Sequence, residues 1–162
     1  MKKKILILTS LFFLISCSEI NFVLKENNPD NILKDKTLIV FNGNSGDGFT
    51  QEMLSFFGES EKNEFILHTK FSEKNQNRVV KKNQVAEEID YELIVNYELF
   101  YKAKGCKVFN KTVATKFSLV PKSFGYNFAT DRSFEKLYIS SIRKNIRNFI
   151  YSIPKDNQFI CL

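Results

Sequence analysis

Between Tyr91 and Tyr101 every second residue is large and apolar: Tyr91, Leu93, Val95, Tyr97, Leu99 and Tyr101. The intervening positions carry Glu92, Ile94, Asn96, Glu98 and Phe100, with Lys102 just beyond. A period of two sends alternate side chains to opposite faces of a strand. The stretch Ala86–Ala103 therefore predicts a strand with one buried face and one nearer water. The second face is mixed enough to sit against a partner.

The neighbouring segments read as strands on the same grounds. Phe65, Leu67, Thr69 and Phe71 alternate with Ile66, His68 and Lys70, and the strand is expected to run on, irregularly, through Val79-Val80. Lys81-Lys82-Asn83 then makes a hairpin turn. Lys104-Gly105-Cys106 turns the chain again, and Phe109, Val113, Phe117 and Leu119 repeat the pattern up to Pro121. Thr37–Phe41 is a short apolar run rich in β-branched residues and predicts a buried strand.

Two helices complete the inventory. After Phe41, Asn42–Gly48 is dense in turn formers. Its glycines fit neither GxxxxGK[ST] nor GxGxxG, so it reads as a turn into a helix. Phe49, Met53, Leu54, Phe56 and Phe57 give that helix its apolar stripe, and Gly58 stops it. Phe134, Leu137, Tyr138, Ser141, Ile142, Asn145, Ile146, Phe149, Ile150 and Ile153 form a longer stripe at three-four spacing. Thr130 or Asp131 serves as N-cap and Pro154 as terminator. Arg132, Lys136, Arg143, Lys144 and Arg147 lie off the stripe, as a basic outer face. The order β-α-β-β-β-α implies an α+β two-layer sandwich: a mainly antiparallel four-stranded sheet with both helices on one face.

The N-terminus sets the compartment. Met1-Lys2-Lys3-Lys4 is a basic region, and Ile5 to Ile15 is apolar except for Thr9 and Ser10. That run is too short for a membrane span, which needs about 20 residues, and has the anatomy of a secretory signal. It ends in Leu14-Ile15-Ser16-Cys17, which looks like a bacterial lipobox. Residues 1–16 are thus expected as a lipoprotein signal peptide, with Cys17 carrying acyl chains such as palmitate. Residues 17–36 would be the tether, 37–153 the domain and 154–162 a tail. Each buried methylene contributes about 0.8 kcal/mol, so multiple chains anchor tightly. Ser18 in place of Asp favours outer-membrane delivery in a Gram-negative envelope.

Loss of Lys2, Lys3 and Lys4 with the signal would halve the formal charge of +6. The basicity then no longer argues for nucleic acid. An enzyme reading also finds little to use. The single histidine, His68, sits on a strand without a nucleophile partner or a metal-ligand cluster. Glu87, Glu88 and Asp90 read as a solvated strand face. No catalytic residue, metal or cofactor is expected beyond the lipid on Cys17.

Two cysteines remain, Cys106 and Cys161, and an exported chain meets conditions in which thiols pair. A helix over Asp131–Ile153 is about 34 Å long at 1.5 Å per residue. The strand Lys107–Val120 is about 46 Å at 3.3 Å per residue. Running antiparallel, the helix returns most of the way to Cys106, and the tail bridges the rest. A Cys106–Cys161 disulfide is the expectation.

With these elements in place, the chain resembles the LPS-assembly lipoprotein family (LptE), in particular its alphaproteobacterial branch. The resemblance covers the lipobox and about 65–153. It rests on Tyr91-Glu92-Leu93-Ile94-Val95-Asn96-Tyr97-Glu98-Leu99, then Val108-Phe109, Thr112-Val113-Ala114, Lys116-Phe117-Ser118 and Phe128-Ala129. The family's Gly-Phe-x-Pro-Leu-Tyr after the lipid cysteine is replaced by Ser18-Glu19-Ile20-Asn21-Phe22. The last helix is also poorer in alanine.

The resemblance implies a non-enzymatic lipoprotein on the periplasmic side of the outer membrane. It would plug and help assemble the β-barrel LptD and contact lipopolysaccharide. Arg78, Lys81 and Lys82 near the hairpin tip, and Arg143, Lys144 and Arg147 on the last helix, are its candidate lipopolysaccharide contacts. The alternative is an envelope lipoprotein acting as adaptor or pilot for another outer-membrane complex.

Overall fold

Five residues, Thr37–Phe41, form strand β1, which lies parallel to the start of strand β2, Phe65–Val79. Parallel neighbours need a crossover, and helix α1, Asp47–Phe57, supplies it. Strands β3, Glu87–Tyr101, and β4, Cys106–Leu119, add antiparallel partners, giving the sheet order β1-β2-β3-β4. Helix α2, Asn127–Ser152, closes the sequence of elements. The computed structural model describes residues 31–60, 62–79, 87–119, 127–154 and 159–162. Cys17 with its signal peptide and the Lys81-Lys82-Asn83 turn lie outside the described residues. The α+β two-layer sandwich in the order β-α-β-β-β-α is the observed fold.

Alternation sorts the sheet as the sequence reading expects. Leu93, Val95, Tyr97 and Leu99 of β3 are wholly buried, and Leu67 of β2 is buried beside them. On the same side lie Phe49, Met53 and Phe57 of α1 and Ile142, Ile146, Phe149 and Ile150 of α2. Phe149 is central. Its ring stacks on Tyr97 with centroids 4.1 Å apart and also approaches Phe57 and Phe109. Burial of one such side chain contributes about 2–3 kcal/mol.

Polar groups inside this core are matched. Burial holds the Tyr97 phenol well above its usual pKa, so it stays a donor. It donates to Asn145 Oδ1 at 2.9 Å, while Asn145 Nδ2 donates to Val113 O at 2.9 Å and Thr115 Oγ1 at 3.1 Å. Asn145 thereby satisfies main-chain and side-chain groups of two strands from one helical position.

Several boundaries differ from expectation. Strand β2 pairs with β3 residue for residue to Val79, so the irregularity expected there is absent. It falls between β3 and β4, where Leu99 faces Phe109 but Phe100 faces Lys107. Val108 is the extra residue of a bulge and turns inward, only 7% exposed. The turn occupies 102–105, and Cys106 opens β4 instead of ending the turn. Helix α2 begins at Asn127, so Thr130 and Asp131 lie within it and are not caps. Leu54, counted with the stripe of α1, is exposed, and Glu52 takes an inward position.

The segment 31–36, expected within the tether, caps helix α1. The last carbonyls of a helix lack partners within it. Asn31 Nδ2 donates to Phe56 O at 2.8 Å, and the Asp35 amide donates to Phe57 O at 2.7 Å. Leu33 between them is fully buried. Gly58, at φ 72°, ends the helix, and a Cβ there would collide with the Asp35 carboxylate. Gly48 lets α2 come close: a Cβ would stand 3.2 Å from Ile139 Cδ1.

Candidate functional site

Both helices cover one side of the sheet, and the even-numbered positions of β2 and β3 face away from them. Across that open face the register stacks side chains in rows. At one end Leu38, Ile66 and Phe100 form an apolar row. The next holds Val40, His68 and Glu98; His68 meets the Phe100 ring edge-on at 5.2 Å. Lys107 pairs with Glu98 at 2.9 Å and lies 5.7 Å from the centre of the Phe100 ring.

Charge dominates the other end. Lys74, Glu92 and Lys116 share a row in which Lys116 Nζ is 3.3 Å from Glu92 Oε1. Arg78, the one described member of its predicted trio, lies on β2 within 3.9 Å of Glu88 and 3.6 Å of Asp90. Ser118 donates to Asp90 at 2.6 Å. The acids Glu88 and Asp90 thus belong to a ladder of opposite charges. Lys81 and Lys82 lie outside the described residues.

The three basic residues on α2 play different parts. Arg143 makes a two-pronged pair with Glu52 of α1, with Nε to Oε2 at 2.8 Å and Nη2 to Oε1 at 2.9 Å. Glu52 is 12% exposed, so this contact is a helix-to-helix bond that neutralises an inward carboxylate. Arg147 holds its guanidinium 5.7 Å from the centre of the Phe56 ring, again joining the helices. Lys144 is exposed. All three line a shallow depression with Glu135, Lys136 and Tyr151. Sequence spacing puts them on one face but does not pair Arg143 with Glu52. The signal available was its position beside Met53, three residues after Phe49.

Near the charged end of the sheet, the rings of Tyr91, Phe117, Phe134 and Tyr138 pack together. Tyr91 and Phe117 stack at 4.9 Å with planes 6° apart. Tyr138 donates to Glu73 at 2.9 Å; burial, that hydrogen bond and the neighbouring charge raise its pKa. This cluster seats the first half of α2.

At the opposite end, Cys106 is bonded to Cys161, with Cα atoms 5.7 Å apart. The segment 159–162 is held alongside. Phe159 packs on Phe65 and Tyr101, Lys104 Nζ donates to Phe159 O at 2.9 Å, and the Leu162 amide donates to Lys107 O at 2.8 Å. Among the described residues no His, Cys, Asp and Glu side chains gather in a metal-binding group, and no helix is long and apolar enough to cross a membrane.

No family model and no curated protein matches this chain. Solved structures do. The chain is similar to a minor lipoprotein of Acinetobacter baumannii, at 15% identity and a TM-score of 0.53, over 75% of this chain and 92% of that one. A rare lipoprotein B of Shewanella oneidensis aligns at 11% identity and a TM-score of 0.49, over 71% of this chain and 89% of that one. At 15% identity, the likeness to the Acinetobacter protein is one of fold.

Proposed function

We propose that this chain is a non-enzymatic outer-membrane lipoprotein, anchored through Cys17, that acts in lipopolysaccharide assembly by plugging an LptD-type β-barrel. The observation that carries the reading is the open sheet face. Among the described residues, the two-layer fold with helices on one side leaves the other sheet face uncovered, with paired charges toward one end and the apolar row of Leu38, Ile66 and Phe100 at the other. The charged part of this surface suits the polar interior of a barrel, where charge meets charge. The LptE-like residues along β3 and β4, the lipobox at Cys17 and the fold shared with a minor lipoprotein support the same reading.

Lipopolysaccharide contact belongs to this proposal, and Lys144 is its cleanest probe. Arg143 and Arg147 join the two helices, so their loss would weaken packing as well as any phosphate contact. Lys144→Glu leaves those bonds in place and should reduce photo-crosslinking to lipopolysaccharide.

The deciding experiment is purification of the tagged, lipidated chain from detergent-solubilised membranes. An LptD-type barrel as the main companion is the expected result. A different ring or barrel in its place would overturn the assignment and favour the adaptor or pilot reading.

A further inference from the structure

The end of the domain at which the described chain begins carries three of the six exposed large apolar side chains among the described residues. Among the described residues the exposed large hydrophobics are Leu38, Leu54, Leu137, Tyr151, Ile160 and Leu162. Leu38 lies at the start of β1. Ile160 and Leu162, 72% and 79% exposed, flank the cysteine bonded to Cys106 at the start of β4. Register puts the starts of β1, β2 and β4 and the last residue of β3 at this one end.

Lysines surround these residues. Lys36 and Lys104 share a depression with Ile32, Glu64, Phe159 and Ile160. Lys34 and Lys102 are exposed on the adjoining turns. Asp35, Glu59 and Glu64 also lie here, so the charge excess is small. Protruding apolar side chains ringed by lysine are the pattern of a surface that settles into the headgroup layer of a bilayer.

We propose that this end is a membrane-facing surface, with Ile160 and Leu162 inserted among the headgroups of an anionic phospholipid leaflet and the lysines meeting its phosphates. The inference rests on the Cys17 anchor proposed above. From Cys17 to Asn31 even an extended chain spans only about 50 Å, and Asn31 is attached at this end through its bond to Phe56. The anchor's tether therefore joins the domain at this end. The disulfide and the Lys104–Phe159 bond hold Ile160 and Leu162 in place, so little ordering is needed on docking. The depth expected is about 5–10 Å, that of an interfacial apolar face.

The chain contains no tryptophan, so a single introduced one reports depth. The lipidated chain with Ile160→Trp is reconstituted into vesicles of phosphatidylethanolamine and phosphatidylglycerol containing brominated lipid. Leu137→Trp, on the first half of α2, is the comparison. Position 160 should be quenched several-fold more strongly than 137, and Lys36→Glu with Lys102→Glu should reduce that quenching while the protein still floats with the vesicles. Leu162→Trp should behave as 160 does and guards against a local effect on the disulfide. A floating chain quenched equally at both sites, or more at 137, overturns the inference and leaves the anchor standing. A chain that does not float removes the anchor and the inference together.

Discussion

On the helix-covered face of the sheet, Leu93, Val95, Tyr97 and Leu99 are wholly buried, and Asn145, reaching in from α2, has both its side-chain oxygen and its side-chain nitrogen paired. One residue along the same strand, Glu92 and Glu98 point the other way and find Lys116 and Lys107 across the ladder. The covered face draws its stability from packing that excludes water. The open face is held by pairs that water can replace at small cost, since exposed ion pairs contribute about 0–1 kcal/mol. The contrast separates what makes the domain fold from what is free to meet a partner.

Mutations should respect that division. Phe149→Ala removes the ring stacked on Tyr97 and should lower unfolding free energy by about 3–5 kcal/mol in a denaturant titration. A loss under about 1 kcal/mol would break the claim that the covered face carries stability. Joint replacement of Cys106 and Cys161 by serine opens a loop with a sequence separation of 55. It should cost about 2–4 kcal/mol, read as a lower midpoint under non-reducing conditions.

Asn145→Ala leaves the Tyr97 hydroxyl without its acceptor and should cost about 2 kcal/mol, with Tyr97→Phe costing nearer 1. The two effects should be strongly non-additive in a double-mutant cycle; simple addition would show that the bond between them does not matter. Smallest in stability, Glu92→Gln with Lys116→Gln should shift unfolding by less than about 0.5 kcal/mol. The same pair of changes should nevertheless weaken recovery of the barrel in the pull-down. Undiminished recovery would remove this row from the proposed interface.

The strand alternation in β3 was legible because period two survives whatever packs on top of it. The stripe of α2, including Ser141 and Asn145, was legible for the same reason. What spacing cannot give is the partner across the gap. The bond from Arg143 to Glu52 joins positions far apart in the chain, so a basic outer face and a helix-to-helix clamp look alike in one dimension. Leu33 shows a different limit. Ile32-Leu33, set between Asn31 and Lys34-Asp35, is too short an apolar pair to show a period, yet the capping of α1 by Asn31 and Asp35 carries Leu33 into the core. At the lipopolysaccharide-contact candidates, sequence gave the charge, and only the fold showed that Lys144 stands apart from its two neighbours.

The short first strand has a mechanical consequence. A force applied through the N-terminal segment reaches the domain at the capping turn and then at β1, whose ladder to β2 runs only from Thr37 to Phe41. Everything from Cys106 to Cys161 is closed into a covalent ring at the far edge. Under load the molecule would yield by shedding its outermost ribbon, while the ringed half kept its shape.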